Sequence, residues 1–517
     1  MPDNCSFDIA PLAISEPIRN SPLTNLNYTS QDFWSIKDRM TDNIKEKFLD
    51  IFNDFIESDI AIMLLENWAF LGDLLSFKID QIANEIFIDT VTEVENAFRL
   101  SRLVGFRPQP PIAARSLWTT TLGAPLETDV RIPAGLQIQV VNQQTPITIE
   151  LFAADSNNNP LFDQDLIISA GSLSNSSIIG LEGLSIRDSF SGSGEVGLTF
   201  QCTRFPVIWD SVNVSVNGLK WEQVEFFTDS QPRPEYRVEY DSSYSAFIIF
   251  GNNRAGMIPS RNAEIFVTYR QGGGTSGNIV TGSVTTQRTV TLDGFDYGVP
   301  ISIRNYTKGD FGYAGDSIED IRRKLPAYLR TQNRCVTGTD YKTFVDQYAT
   351  PYNGQIGKSL AVLRNYGCAA NIIDLYILTR LGDGDLQVAS NELKVSLHES
   401  LEDVKMLTDF ICLRDGVVVP VDVSLDVVMD KFYRKFEDEV REQIIRRINL
   451  FFSLNNWEYG KVLRDTDLIK SLADVKQAKQ YEISFVANDS STQLAIVSPK
   501  FFEIVRPDQI NINFVYE

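Results

Sequence analysis

A single histidine, His398, stands in a chain of 517 residues. One histidine cannot supply the paired ligands of an H-E-x-x-H zinc site. Inside a predicted helix over 391–407, it reads as a surface or helix-packing residue. The five cysteines (Cys5, Cys202, Cys335, Cys368 and Cys412) are scattered and odd in number. No C-x-x-C pair exists, which excludes a zinc ribbon or a dithiol redox motif. Reduced, mostly buried thiols are the plain expectation. Positive charge is also scarce: 47 Lys and Arg stand against 68 Asp and Glu, a formal net charge of -21. Wrapping nucleic acid takes Lys and Arg on phosphates, so no direct nucleic-acid binding is expected. No run of about 18 consecutive apolar residues is present, and membrane insertion is not expected. The opening MPDNCSFDIAPLAISEP has no basic stretch leading into an apolar run, so no signal peptide is expected.

Motifs for chemistry are missing as well. No G-x-S-x-G elbow occurs. QGGGTSGN, from Gln271, lacks the lysine that a phosphate-cradling P-loop requires, and reads as a tight turn or an interface loop. DSNNNP, from Asp155, opens like a calcium loop. Pro160 takes the place of the sixth-position glycine, and Leu166 that of the bidentate glutamate. GDGD, from Gly382, is shorter still, and both segments read as turns. No catalytic, cofactor-binding or metal-ligating residue is therefore expected.

What is there is a folded, multidomain chain. Hydrophobic residues make up 43% and charged residues 22%. That composition is typical of globular protein, and the length suits roughly three domains. The reading is an α+β multidomain protein: an N-terminal helical module, a central antiparallel β-rich region of one or two domains, and a C-terminal mixed α/β layer domain. The expected boundaries are an extended arm over 1–29, a helical partner-binding module over 30–111, a β-rich middle over 112–300, a helical connector over 301–350 and an α+β domain over 351–517.

The helical module is the most informative stretch. Phe33, Ile36, Met40, Ile44 and Phe48 fall at helical spacing. After Asp59 a stronger pattern begins: Ile60, Met63, Leu64, Trp68, Leu71, Leu75, Ile79, Ile82 and Ile86 make one continuous stripe. Leu65, Phe70, Leu74 and Phe77 add apolar surface outside it. Two readings stay open, an ordinary helical core and a bundle shared with other subunits. A third helix, about 93–104, is expected to stop at Gly105 and the prolines beyond it.

In the middle region SLWTTTL, VRIPAGLQIQV, SGEVGLTFQC, VNVSVNGLKWEQV, SAFIIFG and EIFVTYR read as strands, with a hairpin turn at Asn217-Gly218. The polar segments 155–180 and 228–242 read as loops. Ser317 with Asp320 makes a capping-box-like helix start, and Pro326 is expected to interrupt that helix. A second helix is expected near Thr339. Toward the C-terminus, SLAVLRN and IIDLYILT read as paired strands around Tyr366-Gly367. A helix capped by Ser390 follows over 391–407. VVVPVDVSLDVVM alternates strictly, as a half-buried strand does. A helix over about 434–454, a short helix over 465–473 and the strand YEISFVA complete the pattern.

Taken together, several of these pieces resemble the baseplate-J-like family, the large wedge subunits of contractile phage-tail baseplates. The matching residues are Gly272, Gly273, Gly274, Gly277 and Asn278, then Gly315 to Ser317, then Arg330 to Asp340 with Tyr341. LSRLVGFRPQPPIAAR at Leu100 to Arg115, RIPAG at Arg131 to Gly135, and Trp457, Gly460 and Leu463 follow in the same order. The resemblance implies a structural, non-enzymatic protein of the virion tail baseplate, assembled in the host cytoplasm. It implies a ring of wedge subunits around the central hub that rearranges to release sheath contraction. The implied partners are other wedge subunits, neighbouring copies as a homodimer within the ring, the hub and the tail sheath. An equivalent subunit of a phage-derived injection or secretion machine, or a tail-tip hydrolase, would be the alternatives. The expected interface residues are Trp68, Leu71, Leu75, Ile79 and Ile82 on the apolar helix, Gly273 and Gly274 in the glycine turn, and Arg330, Arg334 and Tyr341 around the second helix.

Overall fold

The computed structural model describes residues 32–48, 55–56, 59–142, 145–155, 159–227, 231–291, 298–366, 370–381, 385–454, 456–475, 477–487 and 494–516. The expected arm over 1–29 and the turn at Gly367 lie outside them. The chain divides into two compact units, one holding 15–108 and 316–326, the other holding 109–315 and 327–517.

The first unit is helical. α1 spans Phe33–Phe48, α2 Ile60–Glu85 and α3 Val94–Leu103. Asp59 caps α2 by accepting from the Ala61 amide at 2.7 Å. This satisfies one of the first-turn N–H groups that have no partner within the helix. Gly105, at φ 78°, ends α3 with its amide on the Arg102 carbonyl, while Phe106 N–H reaches Ser101. That pairing needs a left-handed residue, which glycine adopts at little cost. α4, Ile318–Thr331, starts in this unit, with Ser317 and Asp320 exchanging cap hydrogen bonds. Arg322 anchors its first turns by donating to the Ile88 and Val91 carbonyls between α2 and α3. Pro326 does not interrupt α4, contrary to expectation; it lies inside the helix. Proline removes one ladder bond there, and the remaining turns carry the helix through.

The second unit begins with a β sheet whose strand order is 285–291, 298–305, 115–122, 174–182, 145–154 and 136–142. Trp118 lies fully buried over Gly180 of the adjacent strand, where any Cβ would meet its indole nitrogen at 2.2 Å. Two expectations fail here. VRIPAGLQIQV is not one strand but two, broken at Pro133 to Gly135, where Gly135 takes φ 78°. Segment 155–180 is not all loop, because Ser174–Glu182 is an interior strand. Residues 184–271 form a separate lobe of two four-stranded sheets around Val214, Tyr236, Ile248, Ile265 and Val267. Asn217-Gly218 does turn a hairpin, with both residues at positive φ. Glu235–Tyr240, inside a segment expected to be loop, is a strand of this lobe.

The C-terminal part holds two further sheets. α5, Gly338–Asp346, opens with a full capping box between Thr337 and Asp340. With α6, Asn391–Glu402, it shares a core with the antiparallel pair Gly354–Tyr366 and Ala370–Arg380. α6 is shorter than expected and ends five residues before Leu407, whose side chain is fully exposed. Val417–Met429 alternates as expected and lies between Ala478–Ala487 and the parallel strand Glu503–Tyr516. α7, Glu437–Phe451, and α8, Asp465–Leu472, bury Val440, Ile444, Ile448, Leu468 and Leu472 in the same core as the inward-facing valines.

Cys202 and Cys335 are buried and free, with burial pushing both thiols up to about 12. They are inert at neutral pH, because the thiolate is the reactive form. Cys412 is free and half-buried. Cys5 and Cys368 lie outside the described residues.

Candidate functional site

α2 buries little of its apolar surface. Ile62, Leu65, Ala69 and Ser76 form its buried line. Small residues allow a close approach to α1: a Cβ on Gly72 would lie 3.1 Å from Ile36. Lys37 of α1 bonds Glu66 of α2 at 2.7 Å, so that carboxylate is paired locally.

The expected interface residues Trp68, Leu71, Leu75, Ile79 and Ile82 all point outward, with Trp68 and Ile82 each 64% exposed. Leu64 and Ile86 extend the same seam. At about 100° per residue these positions keep to one face. A second outward face carries Ile60, Met63, Phe70, Leu74 and Phe77, also exposed. Asn67, Lys78 and Glu85 lie between the two seams. α2 thus has three contact faces, of which α1 takes one. Such a continuous apolar surface is more than an ordinary solvated helix face carries. By length and composition α2 could also cross a membrane, so the expectation that no such segment exists is revised.

Between the end of α2 and α3 is a groove of about 450 Å³, lined by Ile82, Ile86, Leu100 and Leu103 with Glu85 and Arg99 at its polar side. Burial pulls the Glu85 carboxyl upward. Hydrogen bonds from Thr92, Asn96 and the Glu93 amide outweigh it and hold the group below its ordinary value.

The other expected interface residues lie in the second unit. Gly273 and Gly274 sit at a backbone crossing inside the second unit. Gly272, Gly273 and Gly274 take φ 143°, 96° and 115° in succession. A Cβ on Gly273 would fall 2.6 Å from Pro111. Three segments meet here: Gly274 N–H donates to Ile112, Ile112 and Tyr313 exchange backbone bonds, and Gly309 N–H donates to Ile279. Tyr341 is fully buried and donates to Asp409 at 2.9 Å, which makes it a core residue rather than a contact surface. Arg330 and Arg334 are exposed near the end of α4, where Gln332 and Asn333 turn the chain at positive φ.

A group that the sequence did not flag supports the crossing. Glu150, Glu182 and Arg270 are buried together. Arg270 donates to the Leu181 and Glu182 carbonyls and lies 3.5 Å from Glu150. Glu182 accepts from Gly273 N–H at 2.7 Å. Burial pushes the Glu182 carboxyl above its usual value of 4.5, against the Gly273 bond and the Arg270 charge. A carboxyl raised in the folded state contributes stability below its unfolded pKa, and that contribution is lost as pH rises through the folded value. Glu182→Gln should therefore gain in melting temperature relative to the parent as pH goes from about 4 to about 7. A melting-temperature difference that stays flat across that range would show that Glu182 is not desolvated.

Among the described residues no group of three or more His, Cys, Asp and Glu side chains could hold a metal ion. His398 is exposed on α6, 3.7 Å from Glu402. Asp155 accepts from the Asn159 amide at 2.7 Å, and 156–158 lie outside the described residues. Most of the GDGD segment lies outside them too.

Residues 32–103 match the family described as bacteriophage baseplate protein, N-terminal domain. The match covers the helices that carry the apolar seams, and it supports a structural subunit of a phage-type baseplate that assembles with other baseplate subunits. No curated protein sequence matches the chain. Among solved structures, a chain of the anti-feeding prophage (AFP) baseplate is similar at 10% identity and a TM-score of 0.35, over 91% of this chain and 90% of that one.

Proposed function

We propose that the protein is a wedge subunit of a contractile-tail baseplate of the baseplate-J-like kind. In this reading it stands in a ring around the central hub, contacts other wedge subunits and a second copy of itself, and rearranges when sheath contraction is released. The observation that carries the reading is the pair of exposed apolar seams on α2, inside the segment that matches a baseplate domain. A helix with this much uncovered apolar surface gains roughly 25 cal/mol for each Å² that a partner removes from water. The β-rich region and the C-terminal sheets provide a stiff body that such a ring needs. The buried Arg270 cluster and the glycine crossing belong to that body.

The test uses substitutions that leave the fold intact. Leu71 and Leu75 are 44% and 55% exposed, so Leu71→Asp with Leu75→Asp should leave the melting temperature close to the parent's. The same double variant should lose association with the baseplate proteins encoded beside it, by at least tenfold in affinity on size exclusion with light scattering. Undiminished association would remove α2 from the interface and the wedge reading with it. Deleting everything before Ile112 is a poorer test, because the Arg322 anchor of α4 loses its acceptors at Ile88 and Val91.

A further inference from the structure

The three-stranded sheet of Ala478–Ala487, Val417–Met429 and Glu503–Tyr516 treats its two edges differently. At the first edge, Phe485 and Leu494 exchange backbone hydrogen bonds at 2.9 and 2.8 Å, and Lys479 and Glu482 put charges on the strand. Charges and covering segments keep sheet edges from pairing with other chains. The second edge is Glu503–Tyr516. From Gln509 to Tyr516 it reads QININFVY, with no charge, proline or glycine. The Ile512 carbonyl is turned away from the sheet, where Arg441 of α7 donates to it at 3.1 Å. With a period of two, Ile510 and Phe514 present their N–H and C=O on the same side. No backbone partner for the amides of Ile510, Ile512 and Phe514 is present among the described residues. Their side chains are half-buried on the core shared with α7. The strand also borders a groove of about 770 Å³, lined by Ser424, Asp426, Glu482, Ser484, Asn511 and Asn513. Asp426 and Glu482 stand directly opposite in register, a like-charge pair that costs stability. Asp426 accepts from the Asn513 amide group at 3.1 Å, and neither carboxylate has a cation beside it among the described residues.

We propose that Gln509–Tyr516 receives an extended segment of another baseplate subunit as a fourth strand, one that alternates apolar residues with lysine or arginine. The apolar residues continue the row of Ile510, Ile512 and Phe514, the cations face the groove carboxylates, and the backbone takes up the outward N–H and C=O groups. One incoming amide replaces Arg441 on the Ile512 carbonyl, and Arg441 keeps Glu437 at 3.2 Å. A second copy is a poor occupant of this edge, because pairing would join two such acidic faces into one. That the donor is another subunit rests on the baseplate-subunit reading; the accepting edge does not.

The probe is a short synthetic peptide of alternating valine and lysine, capped at both ends and added to the full-length protein. Alternating valine and glutamate is the control. Amide hydrogen exchange across residues 509–516 should slow at least tenfold with the lysine peptide and not with the glutamate one. Ile512→Pro removes one outward N–H, a change that edge strands tolerate, and should weaken the lysine peptide at least tenfold. Asn513→Lys keeps every backbone group, sits on the exposed face and should weaken it as much by placing a cation beside the carboxylates. In the complex with the baseplate proteins encoded beside it, the same residues should be slowed as well. Equal binding of the two peptides, undiminished binding to Asn513→Lys, or slowed exchange confined to residues outside 509–516 would overturn the proposal. So would slowing at this edge in the protein alone that grows with its own concentration, since a second copy would then be the occupant. Unchanged exchange there in the neighbour complex removes the donor assignment. If the peptide fails while Leu71→Asp with Leu75→Asp still abolishes association with neighbouring proteins, only this edge falls. If that double variant associates undiminished while the peptide binds, the edge stands without the baseplate reading.

Discussion

Replacing Glu150 by alanine should lower the stability of the β-rich region by about 3–5 kcal/mol, the usual cost of leaving a buried charge without its partner. Glu150 is 1% exposed and lies in the interior strand Thr145–Ala154. Its carboxylate accepts from the Ser185 amide at 2.9 Å and from the Ser185 hydroxyl at 2.6 Å, and it faces Arg270 at 3.5 Å. Arg270 is itself 5% exposed. Burial opposes its charge, and Glu150 is the foremost group offsetting that effect, ahead of Tyr352 and Glu182. Alanine removes this partner and both serine bonds at once. Taking away the two charges together should do less harm, since nothing is then left orphaned. Glu150→Gln with Arg270→Met should lie closer to the parent than Glu150→Ala alone. Urea unfolding followed at the β-rich region measures both. A loss under about 1 kcal/mol for Glu150→Ala, the scale of an exposed pair, would show that the cluster is solvated.

Gly273→Val should be the other severe change. The glycine is held at φ 96°, and its built Cβ lies 2.6 Å from Pro111. A branched side chain there meets the backbone penalty of positive φ, about 1–2 kcal/mol, and a steric one of about 1–3 kcal/mol. Moving the loop to relieve both would break the 2.7 Å bond from Gly273 N–H to Glu182. We expect insoluble protein, or a melting temperature many degrees below the parent's. Gly171→Ala is the control. It has φ 76° with nothing within 4 Å of the added Cβ, so only the backbone penalty applies. If Gly273→Val melts no lower than Gly171→Ala, the crossing does not constrain the fold as described.

The parts legible in the sequence were those specified locally. Helix starts at Asp59, Ser317 and Ser390 announce themselves through capping side chains, and the alternation from Val417 to Met429 reports one buried face directly. α2 is an intermediate case. Its apolar stripe is plain, but a helix apolar nearly all round does not say which face its own unit covers. The answer lay in Ala69, Gly72 and Ser76, small residues that pack through closeness rather than hydrophobicity. Ser174–Glu182, Glu235–Tyr240 and Glu503–Tyr516 were hidden because distant strands create them. The last pairs in parallel with Val417–Met429, across a long stretch of chain. Glu150 and Glu182 could not be picked out among 68 acidic residues. The one clue to Glu150 is a lone carboxylate within the apolar run ITIELFAA.

Leu184 and Gln271 are the last register pair between the two strands that begin and end the 184–271 lobe. The residues just outside them, Gly183 and Gly272, nearly touch: a Cβ on Gly272 would lie 2.8 Å from the Gly183 Cα. The lobe therefore leaves and rejoins the rest of the chain at one point, with its own core of valine, isoleucine and tyrosine. Elements joined in this way are exchangeable units in descent, because removal leaves two ends already in place to be closed by a short turn. A lineage could shed, enlarge or replace the lobe while the sheet beneath it and the α2 seams stayed as they are. Variation in length between Glu182 and Gly273 is where such a history would be recorded.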